Sequence, residues 1–173
     1  MKKSIIILAV IVTLLSLNKE EKVIIPKDSI RFRVIANSNE EQDQVLKKKV
    51  VTNLNKNIKE LSFSSENLTA SRQNIKNSIS AFSDVVEKTL AENESKETYK
   101  INYGMNYFPR KEYKGVVYEE GDYESLVVTL GNGLGENFWC VLFPPLCLLE
   151  AEEEETKDVE YTSFIKEIID KYF

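Results

Sequence analysis

Apolar residues change their spacing near Tyr99, and that change limits the folds open to this 173-residue chain. Upstream, Leu46, Val50, Leu54, Ile58 and Leu61 recur three or four residues apart, and Leu68, Ile75, Ile79, Phe82, Val86 and Leu90 keep the same helical phase. A period near 3.6 puts such residues on one face of a helix. The first stripe predicts a helix over about 40–61, entered through a capping box of Ser38 with Glu41. The second predicts a helix from about Asn67 to Glu94. Only "SFSSEN" (62–67) separates them, so the pair should fold back as an antiparallel hairpin. A coiled-coil surface for a partner is the other use such stripes have.

Period two marks the strands. "SIRFRVIANS" (29–38) sets Ile30, Phe32 and Val34 against Arg31 and Arg33, as a strand with one buried face requires. After Tyr99 the pattern returns: Tyr99, Ile101 and Tyr103 alternate, residues 109–114 read as a loop, and "GVVYEEGDYESLVVTLG" reads as a short strand, a turn at Glu120-Gly121-Asp122 and a strand carrying Leu126, Val128 and Leu130. "GNGLGEN" (131–137) is a turn before the strand "FWCVLF" (138–143). Val159, Phe164, Ile165, Ile168, Ile169 and Tyr172 predict a last helix over 158–172. The order is β-α-α-β-β-β-β-α. Segregated helices and strands mean α+β, here a mostly antiparallel sheet covered by a helical hairpin.

The N-terminus reads as an address. Lys2 and Lys3 precede an uncharged, mostly apolar run from Ser4 to Leu17. This matches a secretory signal and is short for a spanning helix. Residues 1–17 are thus a signal peptide or a signal anchor, 18–28 a polar tether, and 29–173 one α+β domain with an acidic linker at 150–157.

Several chemistries are excluded. Histidine is absent, which removes Ser-His-Asp and Cys-His catalysis and imidazole metal ligands. A net charge of −5 disfavours nucleic acid. No cofactor and no metal is called for. Gly131, Gly133 and Gly135 resemble a phosphate loop, but a strand follows where phosphate binding needs a helix. A hairpin turn using φ > 0 is the better reading. The run Glu150–Glu155 lacks the turn and glycine of a calcium cage and reads as a solvated linker. Glu119, Glu120, Asp122 and Glu124 read as a solubilising rim. The many tyrosines between Tyr99 and Tyr123 divide between core and an interface-like surface.

Cys140 and Cys147 are the only two cysteines. If the chain turns back at Phe143-Pro144, they come opposite each other within reach of a disulfide. Export permits such a bond. A pair of reduced core thiols is the alternative. Pro144-Pro145 ends any ladder there, and one X-Pro bond can be cis.

"IRFRVIANSNEEQDQVLKKKV" (30–50), "NYFPRKEYKGVVYEEGDYESLVVTLGNGLGENFWCVLFPPLC" (106–147) and the N-terminal segment resemble the stage II sporulation protein R family of endospore-forming Firmicutes. The family often has Pro-Ala-Gly where this chain has Glu119-Glu120-Gly121, and Trp-Trp where it has Phe138-Trp139. The resemblance implies an exported intercellular signal and not an enzyme. Such proteins pass from the forespore into the intermembrane space and switch on a membrane-embedded aspartic protease, which processes pro-sigma-E. It implies no small-molecule substrate, and membrane contact through the N-terminal segment if that stays uncleaved. Arg31, Arg33, Asn37, Tyr107, Arg110, Gly133, Asn137 and Trp139 are the candidate partner-binding residues. A cell-envelope hydrolase using two carboxylates and a structural envelope module are the rival classes.

Overall fold

A computed structural model describes residues 22–63, 66–147 and 158–173. The signal segment 1–17, the acidic run Glu150–Glu155 and the side chains of Leu61 and Val159 lie outside the described residues. Among the described residues, no helix is long and apolar enough to cross a membrane.

The elements run β1 (Val23–Ile24), β2 (Ile30–Ile35), α1 (Glu41–Phe63), α2 (Leu68–Asn77), α3 (Ile79–Glu92), β3 (Tyr99–Phe108), β4 (Lys111–Tyr113), β5 (Val116–Tyr118), β6 (Gly121–Leu130), β7 (Asn137–Phe143) and α4 (Asp158–Tyr172). The fold is α+β. The main sheet has the order β3-β6-β2-β7 and a smaller one the order β1-β5-β4. In the main sheet β3–β6 and β2–β7 are antiparallel, while β2–β6 is parallel.

Helices α1–α3 cover one face of the main sheet. Phe32 and Val34 of β2, Leu126 and Val128 of β6, and Val50, Leu54, Phe82 and Val86 of the helices form its core. One polar tie fastens α2 to the sheet, and the same carboxylate links two strands. Arg72 of α2 pairs with Glu124 of β6 at 2.7 Å, and the Tyr103 hydroxyl of β3 donates to the other oxygen of Glu124 at 2.6 Å. Burial and the Glu124 carboxylate both push the Tyr103 phenol above its ordinary range. A second, smaller core lies on the other face. Val141 of β7 meets Ile25, Val116, Leu146 and Ile165 there, so the small sheet and α4 cover part of that face.

Several details differ from the sequence reading. The second helix is two, α2 and α3, because the Ser78 amide is shared between the Asn74 and Ile75 carbonyls. The segment 18–28 is not wholly a tether: β1 pairs with β5, and Ile25 is buried. Residues 109–114 are not all loop, since β4 pairs with β5 there. The glycine turn and the Glu120-Gly121-Asp122 turn close no hairpins: β6 and β7 are separated by β2, and β5 and β6 lie in different sheets. Local alternation marks a strand but not its neighbours.

The β6–β7 loop instead passes over the end of β2. Amides of Asn132, Leu134, Gly135 and Glu136 donate to the Asn37 side chain, the Asn37 carbonyl, the Ala36 carbonyl and the Asn39 side chain. Gly131 and Gly133 have φ of 52° and 66°, where other residues are strained. A Cβ on Gly135 would strike the Ser38 carbonyl. At the start of α1, Ser38 accepts from the Glu40 amide at 3.1 Å and donates to Asp43 at 2.6 Å. Asp43, not Glu41, therefore answers Ser38, because the helix begins later than the capping box required.

Cys140 and Cys147 are joined in a disulfide, with Cα atoms 5.3 Å apart. The Phe143–Pro144 bond is cis. The chain turns back here without a returning strand, the Leu146 amide donating to the Val141 carbonyl at 3.2 Å. Closing so small a loop contributes about 2 kcal/mol by the loop-entropy estimate. Urea unfolding with and without a reductant should show a loss of that size, and thiol titration of the unfolded, unreduced chain should find no free thiol.

Asp43 and Glu97 lie together near Asn37, which donates to Asp43 at 3.0 Å. The Ser38 and Asn37 donors hold the Asp43 carboxyl below its usual range, while burial and then Asp43 itself push Glu97 above its own. A raised Glu97 pKa means that the folded state holds this proton more tightly, so stability falls as pH rises past the unfolded value of about 4.5. Glu97→Gln should therefore stabilise the fold at pH 7. The gain should vanish below about pH 4, as read by urea midpoints at both values.

Candidate functional site

The alternation of β2 that sends Phe32 and Val34 to the helices sends Arg31 and Arg33 to the opposite face. Arg31 is 2% exposed. Its guanidinium lies 3.3 Å from the Tyr123 ring centroid, with Phe108 at 5.3 Å and Tyr118 at 5.9 Å. Its Nε and Nη2 are buried and have no hydrogen-bond partner, and no carboxylate pairs with it among the described residues. Burial pushes the group below its ordinary value, against an opposing pull from Tyr123 and Tyr118. Aromatic faces attract a cation, but they do not replace the hydrogen bonds a guanidinium loses on burial.

Arg31 forms part of the floor of an open groove of about 570 Å³. One wall is Lys111, Glu112, Tyr113 and Lys114. The other is Asn137, Phe138, Trp139 and Cys140. Successive residues of a strand point to opposite faces. Four in a row along each wall mean that the groove follows two strand edges. Both strands are the last of their sheets, β4 in β1-β5-β4 and β7 in β3-β6-β2-β7.

Trp139 stands at the centre. Its ring meets Phe108 edge-on at 5.1 Å, Arg33 lies 5.2 Å from it, and Lys111 Nζ lies 4.8 Å from it. Among the described residues, the indole N–H and Arg33 Nε are buried without an acceptor, and the Asn137 Oδ1 is buried without a donor. Arg33 also donates from Nη1 to the Tyr107 carbonyl at 3.4 Å. The groove's carboxylate, Glu112, is already taken by Lys22 at 2.7 Å.

Of the eight sequence candidates, Arg31, Asn137 and Trp139 line this groove, and Arg33 stands behind Trp139. Arg110 sits close by in sequence, in loose pairs with Glu112 and Glu119 at 3.8 and 3.7 Å. Tyr107 gives its carbonyl to Arg33, while its ring is 56% exposed. Asn37, just after β2, accepts from the β6–β7 loop in which Gly133 lies, and neither lines the groove. Phe108, Lys111, Tyr118 and Tyr123 were not singled out from sequence. The tyrosine cluster held the signal for two of them, and nothing local marked Phe108 or Lys111.

Residues 26–153 match the family described as stage II sporulation protein R. The chain is 35% identical over 177 aligned residues to stage II sporulation protein R of Bacillus subtilis (strain 168), covering 91% of this chain and 79% of that protein. The chain belongs to the stage II sporulation protein R family. No solved structure matches it. The family region takes in both walls of the groove, β2 and the disulfide, and it stops before α4.

Among the described residues no anion meets the buried Arg31 of this family member, and burying a charge without one costs stability. Replacing a buried charge by an apolar residue of similar length is often neutral or favourable. Arg31→Met should raise the urea unfolding free energy by about 1 kcal/mol. A loss of stability would instead mean that the aromatic contacts outweigh the desolvation.

Proposed function

We propose that this chain is an exported intercellular signal of sporulation that switches on a membrane-embedded aspartic protease, which then processes pro-sigma-E. It leaves the forespore for the intermembrane space, by a signal segment at 1–17 that is cleaved or kept as an anchor. It acts as a ligand and not as an enzyme. Binding shifts the protease toward its active arrangement by favouring that state.

The observation that carries the reading is the groove, in a member of a sporulation family. Among the described residues its donors are buried and unpaired and its strand edges are free, and it has aromatic walls. These are the marks of a surface that awaits a partner. The rival hydrolase needs two carboxylates facing each other across a cleft. Glu112, the groove's carboxylate, is instead held by Lys22.

The test is a reconstitution in non-sporulating cells that make the protease, pro-sigma-E and this chain. Processing of pro-sigma-E, read by blot, should require both this chain and its residues 2–17. No processing with the chain folded and exported would overturn the reading.

A further inference from the structure

We propose that the groove between β4 and β7 binds an extended peptide segment that lies along the β7 edge and places an aspartate or glutamate side chain over Arg31 and Trp139. This deepens the signalling reading by naming the chemistry of the partner's contact, and it rests on that reading only for the identity of the partner.

Three observations carry it. First, Arg31 is almost wholly buried, lines the groove, and has two donor nitrogens unpartnered among the described residues; the N–H of Trp139, which also lines the groove, is a third. Such donors want an acceptor, and a guanidinium wants an anionic one. Second, the charge is complementary. Arg31 and Lys111 line the groove, and Arg33 stands behind Trp139 in a chain of net charge −5. The groove's Glu112 is neutralised by Lys22. Third, among the described residues each wall is the free edge of a sheet. A free edge offers its backbone groups to an added strand, which neither a free anion nor a lipid headgroup can use.

The acid enters from the Lys111 side. Lys111 reaches over the Trp139 ring on a flexible stem, so an arriving carboxylate can draw Nζ off the ring and uncover the donors below. No covalent step is involved.

Trp139 is the chain's only tryptophan, so its fluorescence reports on the groove. The full chain, held in a nonionic detergent, is titrated with capped valine-threonine pentapeptides that carry one Glu at each position in turn. The same peptides with Gln are the controls. Inorganic phosphate, acetate and phosphatidylglycerol vesicles are titrated separately. At least one Glu peptide should shift the Trp139 emission about tenfold more tightly than its Gln counterpart. That preference should disappear in Arg31→Met and shrink in Lys111→Glu. The proposal is overturned if no peptide shows a Glu-over-Gln preference up to about 1 mM. It is equally overturned if phosphate, acetate or vesicles reproduce the shift in full.

The same two variants are then placed in the pro-sigma-E assay. Peptide preference without processing by the unaltered chain removes the signalling reading and keeps the site. Processing undiminished in both variants, with no peptide preference, removes the site and keeps the signalling reading.

Discussion

Everything in this fold is organised by the pairing of β2 on both of its edges, parallel to β6 and antiparallel to β7. A strand held on both sides cannot slip by one residue without exchanging its two faces. Here the exchange would put Arg31 and Arg33 into the helix-covered core and Phe32 and Val34 into the groove. The apolar helix stripes therefore lock the arginines on the outer face. The same hydrogen bonds that complete the core present the cations.

The arrangement on that outer face is costly in one specific way. A guanidinium is buried against Tyr123, Phe108 and Tyr118, with two donor nitrogens left open and no anion beside it among the described residues. A core built for stability alone would place an apolar side chain there. The cost is understandable if the missing acceptor arrives from another molecule, since interfaces draw their energy from a few aromatic and arginine side chains in desolvated pockets. Membership of the stage II sporulation protein R family fits the proposed role, in which the protein works by being recognised.

The loop between β6 and β7 contributes by holding the groove's wall in place. It crosses the end of β2 under hydrogen bonds to Ala36, Asn37 and Asn39, and Lys47 donates to the Glu136 carbonyl at 2.9 Å. Asn137 and Trp139 follow directly. Asn37 thus positions the site through the loop. The disulfide does the same at the other end, tying Cys140 of the groove wall to the turn that follows β7.

The sequence by itself determined the elements and their faces. Period 3.6 marked the helices, period two marked β2, β3 and β6, and the alternation of Ile30 to Val34 already said that Arg31 and Arg33 face away from the core. The cysteine spacing and the Pro-Pro step located the disulfide. Family motifs brought in Trp139 and Asn137. What only the tertiary structure decided was adjacency. That β2 would part β6 from β7, that Lys111 would arrive over Trp139, and that Tyr118 and Tyr123 would close on Arg31 depend on pairings between segments far apart in the chain. Hydrophobic period records which face of a segment is buried; it carries no label for the segment that buries it. The break at Ser78 and the strand at Val23–Ile24 escaped for a related reason: a local hydrogen bond and a distant partner strand override a pattern read one window at a time.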